Sequence, residues 1–174
     1  MIELILGGAR SGKSRLALQK ARDSGLALHY LATATTEDQE MEARISAHKA
    51  ERDQDWSLVE EPVNLAAALL SLNQEKNCVL VDCVTLWISN CLHQEKWKEQ
   101  REALLEILPS LKLHIIFVSN ETGMGIVPLG ELTRQFVDAS GFFNQELGRI
   151  CQIVTFVAAG LPIELKKQKN LQSI

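Results

Sequence analysis

Residues 7–14 read "GGARSGKS", directly after the apolar run "IELIL" at 2–6 and directly before the helix-like "SRLALQKARDS" at 14–24. Gly7, four residues, then Gly12-Lys13-Ser14 match the G-x-x-x-x-G-K-[ST] phosphate loop, with the strand before and the helix after that such a loop needs. Its glycines let the backbone turn tightly and present N–H groups to an anion. The helix beginning near Gly12 adds unpaired N–H groups and the positive end of its dipole. The spacing makes Gly7, Gly8, Ala9, Arg10, Ser11, Gly12, Lys13 and Ser14 the nucleotide-phosphate residues. Lys13 reaches the β and γ phosphates, and the Ser14 hydroxyl takes one position on Mg²⁺.

Working outward, the chain alternates strand and helix. Strand-like segments are "ALHYLATA" (27–34), a short "WSLVEEP" (56–62), "NCVLVDCVT" (77–85), "KLHIIFVSN" (112–120) and "CQIVTFVAAG" (151–160). Helical patterns cover 37–54, 64–72, both sides of "CLHQE" within 86–108, and 130–149 with a break near Gly141. Runs such as "CVLVDCV" and "HIIFVS" are apolar without alternation, as expected of strands covered on both faces. The expected fold is α/β: one P-loop NTPase domain over 1–174 with a mostly parallel central sheet flanked by helices, and 167–174 a tail free to fray. Ligands in such sheets gather at the carboxyl ends of the strands. Those ends are Leu6–Gly8, Thr33–Ala34, Asp82 and Asn120–Glu121.

The 174 residues are 46% hydrophobic and 23% charged with net charge −4, an ordinary globular balance that provides no general attraction for nucleic acid. No apolar run approaches the roughly 20 residues needed to span a bilayer. The N-terminal apolar run is too short for a secretory signal and lacks a basic segment before it. Cys78, Cys83, Cys91 and Cys151 form no CxxC pair and no zinc spacing. They read as core thiols in a reducing cytoplasm.

Asp82 ends the apolar "CVLV", the place of a strand-end carboxylate that holds Mg²⁺ directly or through water; a cap for the following helix or a bend residue is the other reading. Glu121, after "FVSN", assists the metal, holds nucleotide or caps its loop. In the predicted 37–54 helix, Met41, Arg44, His48 and Arg52 recur at spacings of three and four and share a face with Ile45. His48 is a plain surface histidine, a general base or a nucleophile on phosphorus. Its imidazole is largely unprotonated near neutral pH, whereas Lys49 is not. Attack on an α-phosphorus would expel pyrophosphate, with Arg44 and Arg52 offsetting phosphoryl charge. Asp53 and Asp55 lie too far along to be assured ring partners.

"GGARSGKS", "EMEARISAHKAERDQDW" (40–56), "LVDCVTLWISN" (80–90), "SNETGMGIVP" (119–128) and "TRQFVDASGFFNQ" (133–145) together resemble the bifunctional adenosylcobinamide kinase/adenosylcobinamide-phosphate guanylyltransferase family of cobalamin biosynthesis. The resemblance runs from residue 1 to about 166 and is most specific in "ARI-x-x-HK" and "NE-x-GMGIVP". It implies a RecA-like fold. It implies phosphorylation of adenosylcobinamide by ATP or GTP, then transfer of GMP from GTP to adenosylcobinamide phosphate through a guanylylated histidine, which falls on His48. Lys13, Ser14, Asp82 and Glu121 match further family positions, Glu121 with the loop beside the active site. The resemblance also implies a homo-oligomer, a trimer in the known case, with sites near subunit boundaries. Two positions depart. Ala47 stands where some members carry a second histidine, and Phe142 stands where many carry arginine.

Two other functions remain open on the residues alone. A small-molecule P-loop kinase would use Lys13, Ser14 and Asp82 without a histidine adduct, and a nucleotide-dependent switch would transfer nothing. Label from α-labelled GTP on the protein separates both from the guanylyltransferase.

Overall fold

The computed structural model describes residues 1–34 and 56–167. Strand β1 (Ile2–Gly7), buried along its whole length, lies inside the sheet between two parallel neighbours. Including β2 (Ala27–Ala32), β3 (Trp56–Glu60), β4 (Asn77–Asp82), β5 (His114–Asn120), β6 (Ile153–Ala158) and β7 (Leu161–Lys166), the order is β3-β2-β4-β5-β1-β6-β7. Among the described residues every pairing is parallel except β6–β7. The central parallel strands lack polar/apolar alternation because both their faces meet helices.

Among the described residues the faces are covered unequally. Helix α1 (Lys13–Asp23) lies on one, where Ala17, Leu18 and Ala21 meet Ile5, Leu80, Ile116 and Val118. The other carries α2 (Leu65–Ser71), α3 (Val84–His93), α4 (Trp97–Ile107) and α5 (Glu131–Ile150) over Leu4, Leu6, Val79, Val81, Ile115 and Phe117. Neighbouring residues of one strand thus enter different cores, as the period of two requires. The larger core is centred on Trp87, whose ring lies 5.4 Å from Trp97 and 5.3 Å from Phe143. Each such pair adds about 0.5–1.5 kcal/mol beyond burial. The buried Trp87 indole N–H donates to the Val63 carbonyl at 2.7 Å.

One expectation needs correction. Helix α5 runs unbroken through Gly141. A helical glycine costs about 1 kcal/mol against alanine, and buried Ser140, Phe143, Asn144 and Leu147 hold the helix together across it. Helices lie on both sides of "CLHQE", as expected: α3 runs on to His93 and the chain turns at Glu95, where φ is 56°. Residues 161–166, where Leu161, Ile163 and Leu165 alternate with Pro162, Glu164 and Lys166, form β7, a strand not among those expected. The predicted 37–54 helix and residues 168–174 lie outside the described residues.

Candidate active site

The phosphate loop joins β1 to α1, and its backbone explains its composition. A Cβ on Gly7 would lie 2.5 Å from the Val157 carbonyl oxygen and 2.6 Å from Ser11 Oγ, so only glycine fits. Gly12 caps α1 with φ 99°, a left-handed conformation that glycine adopts without strain. The Ser11 N–H donates to the Gly8 carbonyl at 3.3 Å, and Lys13 Nζ donates to the same oxygen at 3.1 Å. Burial lowers the Lys13 pKa, with Cys83 and Asp82 opposing that shift. The ammonium is thus already drawn over the loop by the Gly8 carbonyl.

Asp82 Oδ2 accepts the buried Tyr30 hydroxyl at 2.8 Å. No side chain among the described residues caps α3, whose N-cap is Cys83, so the capping alternative for Asp82 is not realised. Burial, followed by the Asp82 charge, pushes the Cys83 thiol up to about 11. It is therefore protonated at neutral pH and offers no competing nucleophile. All four cysteines are buried and free, as the core-thiol reading expects.

The strand ends are locked in register. Thr33 Oγ1 donates to the Cys83 carbonyl at 2.7 Å and accepts the Cys83 N–H at 2.9 Å. Asn90 Nδ2 donates to the carbonyls of Thr33 at 2.8 Å and Pro62 at 3.1 Å. Thr33 and Asn90 therefore fix the ends of β2 and β4 against the loop after β3. On the other side, the Glu121 N–H donates to the Gly7 carbonyl at 3.1 Å, beside the phosphate loop. The Glu121 side chain accepts the Gly123 N–H at 2.6 Å, the loop-cap arrangement. Asn144, in α5, accepts the Ser119 hydroxyl at 2.8 Å and so ties that helix to the end of β5.

Gly7–Ser14, Asp82 and Glu121 are thus gathered at one end of the sheet. Arg44, His48 and Arg52 lie outside the described residues. Two buried oxygens at this end, Ser11 Oγ and Asn120 Oδ1, have no hydrogen-bond partner among the described residues. Asn120 pairs with Gly7 across the β1–β5 ladder. Together with the Ser14 hydroxyl and the Asp82 carboxylate, they make a hard-oxygen set that suits Mg²⁺ with a phosphate chain. Among the described residues no group of three or more His, Cys, Asp or Glu could hold a metal by itself. Sequence reasoning missed Tyr30 and Asn90 as supports of the site, and marked Thr33 only as part of a strand end where ligands gather. The polar tip of Tyr30 in an apolar strand was the available signal for the first. Phe142 is 66% exposed on α5, away from this cluster and beside Trp97 and Arg101.

A parallel sheet whose central strand feeds a glycine-lysine loop, with a carboxylate at the next strand end but one, defines a P-loop nucleotide-binding enzyme. The fold agrees with a KaiC-like protein of the archaeon Pyrococcus horikoshii, at TM-score 0.53 and 16% identity, covering 99% of this chain and 82% of that one. Residues 3–165 match the family described as cobinamide kinase / cobinamide phosphate guanyltransferase, and the chain belongs to that family. It is 53% identical over 169 residues to the bifunctional adenosylcobalamin biosynthesis protein CobP of Pseudomonas aeruginosa, covering 95% of this chain and 98% of the relative. It is 34% identical to the bifunctional protein CobU of Escherichia coli, covering 95% of this chain and 100% of the relative. The family is a bifunctional kinase and guanylyltransferase family, so the resemblance read from the motifs holds.

Proposed function

We propose that the chain phosphorylates the aminopropanol hydroxyl of adenosylcobinamide with ATP or GTP. It then transfers GMP from GTP to the resulting phosphate, yielding adenosylcobinamide-GDP and pyrophosphate. The observation that carries this reading is the phosphate loop itself, with buried Lys13 bonded into it and within reach of the Asp82 charge, in a member of this family.

In the kinase step the loop N–H groups and Lys13 hold the nucleotide's phosphates while the alcohol oxygen attacks the γ-phosphorus in line. The γ-phosphoryl group passes to that oxygen, the nucleoside diphosphate leaves and the hydroxyl proton is released to solvent. Positioning and electrostatics supply most of the acceleration. Ser14 and Asp82 would hold Mg²⁺, which when bound neutralises charge on the phosphates. In the second step the same loop holds the β and γ phosphates of GTP. A nitrogen of His48 bonds to the α-phosphorus and the bond to pyrophosphate breaks. An oxygen of adenosylcobinamide phosphate then attacks the His48–GMP adduct, the P–N bond breaks and the imidazole is restored. Arg44 and Arg52 offset phosphoryl charge, and Glu121 orients the loop beside the reacting phosphates.

The chain works as a homo-oligomer in the cytoplasm in this reading. Free buried thiols suit a reducing compartment. The segment after β5 leaves Ile126 97% and Leu129 98% exposed, apolar surface of the kind a second subunit covers.

The test is His48→Ala with adenosylcobinamide, Mg²⁺ and α-labelled GTP. The parent is expected to carry acid-labile, base-stable label and to form adenosylcobinamide-GDP. The variant is expected to lose both while still phosphorylating adenosylcobinamide. GMP transfer by the variant at the parent's rate would remove His48 as the nucleophile. A parent that phosphorylates but never labels is a kinase only.

A further inference from the structure

The outer wall of the phosphate loop is built by the β6–β7 hairpin, far along the chain. Its two-residue turn, Ala159 and Gly160, has φ of 52° and 78°, both left-handed, between the paired Ala158 and Leu161. The Gly160 N–H donates to the Ser11 carbonyl at 2.8 Å. A Cβ on Gly12 would lie 3.3 Å from Gly160 Cα, so the two backbones are in van der Waals contact. Back along β6, the Val157 carbonyl occupies the space beside Gly7 that a side chain would need. The hairpin therefore touches the loop at its first and last glycines and bonds it at the peptide between Ser11 and Gly12.

We infer that Gly160 is a positioning residue for the nucleotide's phosphate chain, because its turn sets the orientation of the Ser11–Gly12 peptide. In a trans peptide the carbonyl and the following N–H point in opposite directions. Holding the Ser11 oxygen outward on the hairpin directs the Gly12 N–H to the side away from the hairpin. It also keeps a carbonyl dipole from facing an anion. A glycine loop left to itself samples both orientations, and fixing one in advance raises affinity without adding a contact to the ligand. Gly160 does this with its backbone alone, which requires the left-handed turn and the close approach. The inference rests on the reading that this loop holds a nucleotide.

Calorimetric titration of the full chain with a slowly hydrolysed GTP analogue and Mg²⁺ tests it, at a temperature where circular dichroism shows every variant folded. Gly160→Val disfavours the left-handed conformation and is expected to weaken binding about tenfold, the worth of one hydrogen bond. Gly160→Asn keeps the N–H and tolerates positive φ, and is expected to stay within about threefold of the parent. Should Gly160→Val fail to fold, amide exchange on the parent gives the answer. If the opening that frees the Gly160 N–H also weakens nucleotide binding, linkage requires bound nucleotide to slow exchange at Gly160, by up to the full factor 1 + L/Kd, where L is the free nucleotide concentration. Equal affinities for parent and Gly160→Val overturn the inference, as do equally weak Val and Asn variants, or exchange at Gly160 that bound nucleotide leaves unchanged. A parent that binds no nucleotide overturns the reading of the loop, and the inference with it.

Discussion

Asp82 takes a negative charge to the end of β4, where the Tyr30 hydroxyl fixes one of its oxygens. Asp82→Asn keeps an acceptor for Tyr30 and removes only the charge. Single-turnover phosphoryl transfer is expected to fall by about 10²-fold or more, with the melting temperature essentially unchanged. Retained transfer would exclude this carboxylate from the metal site. At the opposite end of the sheet, Glu3 is buried and accepts hydrogen bonds from Lys20 at 2.7 Å and His114 at 2.9 Å. Burial pushes its pKa up, but bonds from His114 and Lys20 outweigh it, and the carboxyl stays below its ordinary 4.5. A pKa lower in the folded chain than in the unfolded one stabilises the fold above that ordinary value. The contribution is lost as pH falls through the lower, folded value. Glu3→Gln is therefore expected to cost about 2 kcal/mol at pH 7 and progressively less toward pH 3, read from urea midpoints across that range. Parallel pH profiles for parent and variant would mean that the carboxylate is not ionised in the fold.

Helix α5 shows how an element serves the site without touching a ligand. Its Asn144 side chain is the acceptor for the buried Ser119 hydroxyl, one residue before Asn120 and two before Glu121. Asn144→Ala strands that hydroxyl and is expected to cost about 1–2 kcal/mol. Adding Ser119→Ala should restore part of the loss, since the orphaned group is then gone; strictly additive losses in urea denaturation would argue against the bond. The same helix marks how far the sequence can be read. Its extent is visible in "GELTRQFVDASGFFNQELGR", yet Gly141 suggests a break that tertiary burial overrides. The parallel strands announce themselves as apolar runs. Strand β7 does not, because its residues are almost all exposed and Pro162 argues against a strand. Pro162 is tolerated because β7 is an edge strand, where a missing N–H need not break a ladder.

The arrangement of strands gathers the candidate residues at one end of the sheet. Three of the strand ends legible in the sequence, at Gly7, Asp82 and Asn120–Glu121, converge because their strands run parallel in adjacent positions. That much follows from the β/α alternation and the motif. The contact of Gly160 with the loop does not, since two backbones meet there and no side-chain pattern records such a meeting. The placement of β1 also bears on how the protein is made. Both of its neighbours are encoded far downstream, and the Ile2 N–H is met by the side chain of Gln152, 150 positions later. Until those segments leave the ribosome, this mostly apolar strand has neither of its hydrogen-bonding neighbours, which makes it a target for chaperones. The hairpin whose backbone meets the phosphate loop is likewise among the last described elements to be made, so the loop reaches its final form only late in synthesis.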